Sequence, residues 1–388
     1  MVLRYLTAGE SHGKALVVIV EGLPAGVPIL VEEVQAEMAR RRLGFGRGPR
    51  QRFEMDNLTL LGGVRHGRTL GSPVAIEIEN SEWTKSDKWH EEMSPAPGFT
   101  KDPLTQVRPG HADLAGMQKY GFTDARDVLE RASARETAAR VAAGCLAKKL
   151  LASIGVQILS HVIQMGPARA KADSRPMPAD LVVVDASPVR CFDKVTEEAM
   201  IEEIEAAAKV GDSLGGIVEV LAYGVPVGLG SHVHWDRKLD GMLAQAIMSI
   251  QAVKGVEIGD GFEVASRRGS VAHDPIVWDA VASQYRRESS LAGGTEGGMT
   301  TGEVVVVRAA MKPLATLNRP TLKTVDVVTK EETVSFKERT DVTAVPAMGV
   351  VAETMVALVL AAEAQRKFGG DSLDEFVRNA DAFRAGLA

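Results

Sequence analysis

With 388 residues, 45% of them hydrophobic and 25% charged, the chain can bury a large core and has the balance of an ordinary globular protein. A net charge of −6 argues against a main partner that is nucleic acid or an anionic membrane. Cys145 and Cys191 are the sole cysteines, and the longest apolar runs, 15–20 and 355–362, fall far short of the ~18 residues of a membrane span. These counts argue against a disulfide framework, a cysteine-built zinc centre and a transmembrane helix, and they fit a reducing cytoplasm.

Residues 1–13 contain no apolar leader. Residues 15–20 form a continuous β-branched run that ends in Glu21-Gly22-Leu23-Pro24-Ala25-Gly26, the pattern of a buried strand closed by a turn. Val31, Val34 and Met38 recur at helical spacing up to Arg40-Arg41-Arg42, cations that suit a helix C-terminus, and a glycine-rich run over 44–50 follows. A strand is predicted at 74–78. The polar stretch 82–104, with Trp83, Trp89 and three prolines, reads as a loop and a candidate lid. High alanine content over 127–153 predicts one long central helix. Further strands are predicted at 182–184, 217–220, 256–258 and 304–307, an amphipathic helix at 239–250, and closing helices at 354–367 and 373–387. No Pro/Ser/Gly linker divides the chain, so the expectation is one α+β domain over 1–388, with loops near 40–52, 82–104 and 310–341 free to move.

Chemistry concentrates in a few motifs. His12 in Gly9-Glu10-Ser11-His12-Gly13 and His111 in Arg108-Pro109-Gly110-His111-Ala112-Asp113 sit in glycine-bracketed loops. There the backbone can approach a ligand closely, and imidazole titrates near working pH. Arg40, Arg41, Arg42, Arg47, Arg50 and Arg52 place six guanidinium groups within thirteen residues that contain no acid. Such a cluster repels itself unless an anion relieves it, and the arginine fork matches carboxylate and phosphate; the alternative is a solvated or RNA-binding loop. Ser11 also satisfies the G-x-S-x-G pattern of serine hydrolases, but that elbow needs a following helix, whereas 14–20 reads as a strand. His232 and His234 lack a third ligand, so no metal site is expected. Arg131 and Arg135, four residues apart, either pair with Glu130 and Glu136 or present cations to an anion. Gly293-Gly294 and Gly297-Gly298 have no Walker lysine, and no strand leads into G-x-G-x-x-G, which argues against a P-loop or a dinucleotide fold. Residues 312–316 and Arg339-Thr340-Asp341 are weaker candidates for a pocket wall.

Taken together, these segments resemble the chorismate synthase family. The likeness runs through residues 4–13, 40–50, 108–113, 130–137, 235–239, 293–300, 312–316 and 339–341 in order. It implies an α+β fold in a single large domain, a β-α-β sandwich with long central helices between antiparallel sheets, assembled as a homotetramer. It also implies a lyase that removes phosphate and the C6 hydrogen from 5-enolpyruvylshikimate 3-phosphate in a 1,4-anti elimination. Reduced FMN is required there although the reaction is redox-neutral, and NADPH is a candidate flavin reductant. No nucleic-acid or membrane partner is expected.

By the same resemblance, His12 gives a proton to the departing phosphate and His111 protonates or hydrogen-bonds the reduced flavin. Asp341 helps flavin N5 accept the C6 proton. Ser11, Arg41, Arg47, Arg50, Arg108, Arg135 and Arg339 bind the substrate's anionic groups, Arg339 also meeting the flavin edge. Arg131, Ala132, Ser133, Gln251, Ala252, Gly297, Lys312, Pro313, Leu314, Ala315 and Thr316 fall on the family's FMN-binding segments. The chain departs from the family pattern at Ala132, where many relatives have serine, at Gln251, where asparagine is common, and at Thr340.

Overall fold

The computed structural model describes residues 2–47, 57–171, 174–319, 321–335 and 340–387. Its first sheet contains β1 (Arg4–Ala8), β2 (Ala15–Glu21), β3 (Leu58–Gly62) and β4 (Val74–Glu79), in the order β1-β2-β4-β3. In β4, Val74, Ile76 and Ile78 are buried while the residues between them are half-buried, the period-two pattern of a strand with one face on the core. The second sheet contains β5 (Gln157–Met165), β6 (Ala168–Arg169), β7 (Gly216–Tyr223), β8 (Val253–Ile258) and β9 (Val305–Met311), in the order β8-β9-β7-β5-β6. Every pairing within the two sheets is antiparallel.

The described helices are α1 (Val31–Arg40), α2 (Asp87–Glu92), α3 (Asp113–Tyr120), α4 (Arg126–Ala132), α5 (Thr137–Ala152), α6 (Leu181–Ala186), α7 (Lys194–Val210), α8 (Leu239–Met248), α9 (Val345–Phe368) and α10 (Leu373–Ala385). Between the sheets lie α5, which packs on β2, and α9, which packs on β5 and β7; the two helices also pack on each other. This is the expected sandwich. Alanines 138, 139, 142, 143 and 147 of α5 are buried, and their small side chains let the two helix axes approach. At Gly144 a Cβ atom would stand 2.2 Å from Thr354 Cβ on α9, with no slack to absorb it. Gly144→Ala is therefore expected to cost about 1–3 kcal/mol by forcing the central helices apart. An unchanged urea midpoint would contradict that packing.

Several local expectations are corrected. Residues 182–184 are helical, within α6: Pro178 opens a 3-10 turn that runs straight into it, and β propensity yields to that start. The helix predicted over 127–153 is two helices. Ser133 is extended (φ −62°, ψ 142°), and a 3-10 turn over Ala134–Glu136 separates α4 from α5. The stretch 82–104 is not wholly loop, since it holds a 3-10 turn at Trp83–Lys85 and α2. The helix expected over 354–367 begins at Val345, because Pro346 falls in its first turn, where a missing N–H costs nothing. At its full length α9 is long and apolar enough to cross a membrane, yet 89% of its most apolar window is buried inside the fold.

Candidate active site

Loops at the ends of the central layer converge on an open cleft of about 810 Å³, measured out to its mouth. Its polar wall is Ser11, Arg41, Arg47, Ser133, Arg135, Gln251 and Asp341; its floor is apolar, with Ile250, Met311, Leu314 and Met348 among the lining residues. Arg41, Arg135 and Ser11 are buried in the fold, so their polar groups are held at the cleft rather than displayed on the outer surface.

The break between α4 and α5 builds one side. Ser133 Oγ accepts from the Arg135 N–H, capping the 3-10 turn, and lies 3.2 Å from Ser11 Oγ. Arg135 donates from Nε to Asn80 Oδ1 (2.9 Å) and from Nη2 to the Glu79 carbonyl (3.0 Å). Asn80 in turn donates to the carbonyls of Glu10 and Gly13, so one buried amide ties the loop of residues 9–13 to the arginine. Gly9 is needed there: it has φ +100°, and a Cβ would lie 2.3 Å from the Ala15 carbonyl oxygen. Across the cleft, Arg47 Nε stands 3.2 Å from Asp341 Oδ2, and the Val342 N–H donates to the Gly46 carbonyl, so the two segments are joined by backbone and by charge.

His12 follows Ser11 but does not itself line the cleft. Its backbone N–H donates to Glu130 Oε2 and its Nδ1 lies 2.8 Å from Glu130 Oε1, while Nε2 is 3.3 Å from Glu82 Oε2. Trp89 of α2 stacks on the imidazole at 3.9 Å with 15° between the planes. Burial alone would raise the Glu130 carboxyl, but hydrogen bonds and charge from His12, with Arg126 behind, hold it below its ordinary value. His111 lies on a second loop, its Nδ1 2.5 Å from Asp113 Oδ1. Arg108 meets the same carboxylate through Nε (2.8 Å) and Nη2 (3.1 Å). Against the burial that would raise it, hydrogen bonds from His111 and Arg108 keep Asp113 far below the usual carboxylate range. Lys312 Nζ donates to the Gly110 carbonyl, and Arg108 Nη1 lies 3.5 Å from Thr316 Oγ1, so the His111 loop is pinned to residues 312–316, of which Leu314 reaches the cleft.

The remaining candidates divide. Ala252 adjoins Gln251 at φ +66°, and its carbonyl accepts from the Lys312 N–H. Arg131 donates to the carbonyls of Gly9 and Thr7, bracing the hairpin beneath the loop. Ala132 closes α4, Pro313 is exposed, and Ala315 neighbours Gly110. Gly297 occupies the exposed turn between Thr295–Glu296 and Met299–Thr300, away from the cleft lining. Arg50 and Arg339 lie outside the described residues. His232 and His234 are joined by no metal-type cluster among the described residues, and His234 pairs with Asp236. Ser11 stands between two strands, β1 and β2, and its hydroxyl meets Ser133 rather than a histidine, which is not a nucleophile elbow. Sequence reading assigned no role to Asn80, Glu82 or Trp89. The polarity of 82–104 hinted at Glu82 and Trp89, and nothing local marked Asn80.

The residues at the cleft suit a flat heterocycle with phosphate. Gln251 contributes a buried Oε1 that accepts no hydrogen bond among the described residues, next to an apolar floor, and three guanidinium groups stand on the wall. A ring edge bearing N–H donors would satisfy that oxygen.

The family model described as chorismate synthase matches residues 3–364. The chain is 60% identical over 390 residues to a chorismate synthase of Streptomyces coelicolor, covering 98% of each, and 58% identical over 385 residues to one of Leifsonia xyli, covering 97% of this chain and 94% of that protein. A solved structure entitled as a crystal structure of chorismate synthase aligns with a TM-score of 0.80 at 40% identity, over 100% of this chain and 98% of the other. The chain belongs to the chorismate synthase family.

Proposed function

We propose that this chain converts 5-enolpyruvylshikimate 3-phosphate to chorismate by 1,4-anti elimination of phosphate and the C6 hydrogen, in the shikimate pathway, with reduced FMN held in the same cleft. One observation carries the reading: Arg41, Arg47 and Arg135 meet Ser11 and Asp341 around a single apolar-floored cleft. A substrate with a phosphate and two carboxylates needs this concentration of planar cations, and a low-dielectric floor strengthens each contact.

Gln251, Ser133 and residues 312–316 would hold the cofactor, which when bound supplies transient electron density to the substrate. The arginines orient the substrate's anionic groups. His12 holds a proton on Nε2 for the phosphate oxygen left when the C3–O bond breaks, and Asp341 stands ready to relay the proton released from C6. His111, fixed by Asp113, keeps a proton at the cofactor's edge. NADPH as reductant, a homotetrameric assembly and work in the cytoplasm belong to the same proposal; the two cysteines are free and buried, as a reducing compartment allows.

The test is anaerobic incubation with the substrate and chemically reduced FMN, following chorismate absorbance and phosphate release together. Product is expected with reduced FMN and none with oxidised FMN; absence of chorismate in the reduced arm would overturn the reading. Adding NADPH to the oxidised arm tells whether the chain reduces its own flavin.

A further inference from the structure

Outside the cleft wall, one constellation has the form of a device for managing a proton. His12 is gripped from three sides by groups 70 or more residues away in sequence. The Glu130 carboxylate takes both the backbone N–H and Nδ1 of the same histidine, so one group sets the loop and the ring together. Trp89 fixes the ring plane, and Glu82 stands at Nε2. Among the described residues, the charged groups that meet His12 directly are Glu130 from α4 and Glu82 from the segment ahead of Trp83; Arg126 backs Glu130, and Lys88 of α2 lies over the stacked indole. Arg126 Nη1 lies 3.3 Å from Glu130 Oε1, its Nε 3.8 Å from Glu92 Oε2, and its Cζ 5.3 Å from the Trp89 ring. Lys88 Nζ is 5.0 Å from that ring.

We infer that Glu130 and Trp89 are positioning residues for His12, the carboxylate fixing the proton on Nδ1 and the indole fixing the ring plane, so that Nε2 is the nitrogen that delivers the transferable proton. An ionised carboxylate accepts only, so Nδ1 must donate to it. Nε2 then carries the second proton of the imidazolium, with the Glu82 carboxylate as its resting partner. After delivery the neutral ring is left as the Nδ1–H tautomer, already held by Glu130, and no rotation is needed before the next proton arrives. Arg126 weakens the field of Glu130 without displacing it, since it binds the same oxygen at a longer distance.

The inference rests on the proposed lyase reading for its kinetic consequences, so its test has an arm that needs neither substrate nor flavin. In the ligand-free protein, the His12 ring nitrogens are followed by NMR against pH, assigned by their loss in His12→Asn. The neutral wild-type ring is expected as the Nδ1–H tautomer, and Glu130→Gln, whose amide can accept or donate at that position, is expected to release the preference so that the Nε2–H form becomes populated. An Nε2–H tautomer in the wild type, or an unchanged tautomer in Glu130→Gln, would overturn the assignment. In turnover, Glu130→Gln is expected to lower kcat about 100-fold with KM near the wild-type value. Trp89, on a short outer helix, offers a second route that spares the core: Trp89→Ala should lower kcat about tenfold while Trp89→Phe keeps it. Equal kcat in Trp89→Ala and wild type would refute the ring-plane role. If the wild type itself made no chorismate, the functional reading would fail while the NMR arm still decided the tautomer.

Discussion

Replacing His12 by Ala is expected to lower turnover about 10²–10⁴-fold, the usual contribution of a positioned acid, and His111→Ala should act on the same scale. The loss should fall on kcat. On the proposed reading substrate affinity comes from Arg41, Arg47 and Arg135, and among the described contacts Arg135 is held on Asn80 and Arg47 on Asp341. An interaction made only as the C3–O bond breaks stabilises the transition state and not the bound substrate, so KM should stay close to the wild-type value. Anaerobic progress curves with reduced FMN and varied substrate separate the two parameters. Near-normal kcat in both variants would remove the imidazoles from the proton chemistry, whereas a rise confined to KM would make them binding groups. Neither variant orphans a buried carboxylate, though the grip differs: Asp113 keeps Arg108 through two contacts at 2.8 and 3.1 Å, while Glu130 keeps Arg126 at 3.3 Å.

The cleft was legible in the sequence wherever its chemistry is carried by a local motif. Ser11, Arg41, Arg47, Arg135, Leu314 and Asp341 each sit in a short stretch whose composition marks it, Gln251 is reached only through the family resemblance, and folding brings all of them to one wall or floor. What holds these residues was not legible. Asn80 follows a strand and has no neighbour that distinguishes it, yet it bridges Arg135 to a loop whose carbonyls lie 67 and 70 positions earlier. Glu130 was visible as one member of a charged helix, and its real partner is a histidine 118 residues away. Such pairings depend on tertiary approach, to which residue type and periodicity are blind. The division of the predicted central helix is a similar case. Alanine content favours helix straight through Ser133, but the serine hydroxyl competes by capping the Arg135 N–H, and the resulting kink is what directs Arg135 toward the cleft. Local propensity lost at a place where the site needed it to lose.

Glu353→Ala is expected to be the most damaging single change to stability, costing about 3–5 kcal/mol, because it strips the shared anion from a buried ionic network. Glu353 is fully buried on α9. It takes Arg40 through Nη1 at 2.7 Å, Lys148 at 2.6 Å and Arg190 at 3.1 Å, and its Oε1 also accepts from the Ser160 N–H and hydroxyl. Arg190 has no exposed surface, and without Glu353 its guanidinium keeps the Asp185 ion pair and the neutral oxygens of Ser160. Burial would push the Glu353 carboxyl up, but the charges of Arg40 and Lys148 outweigh it and hold the group far below its ordinary value of 4.5. A depressed folded value means that the stabilisation is complete above the unfolded value and is lost as pH falls through the folded one. Urea unfolding should therefore show the wild type losing stability on acidification below about pH 4.5, with a shallower loss in Glu353→Ala, since that carboxylate is no longer there to protonate. The consequence reaches the cleft through Arg40, which ends α1 and directly precedes Arg41, a residue of the cleft wall. Loosening that end of α1 should raise KM for the substrate in whatever fraction remains folded. Equal urea midpoints for Glu353→Ala and wild type at neutral pH would mean that the network contributes nothing to folding, and that Arg41 is held by the loop alone.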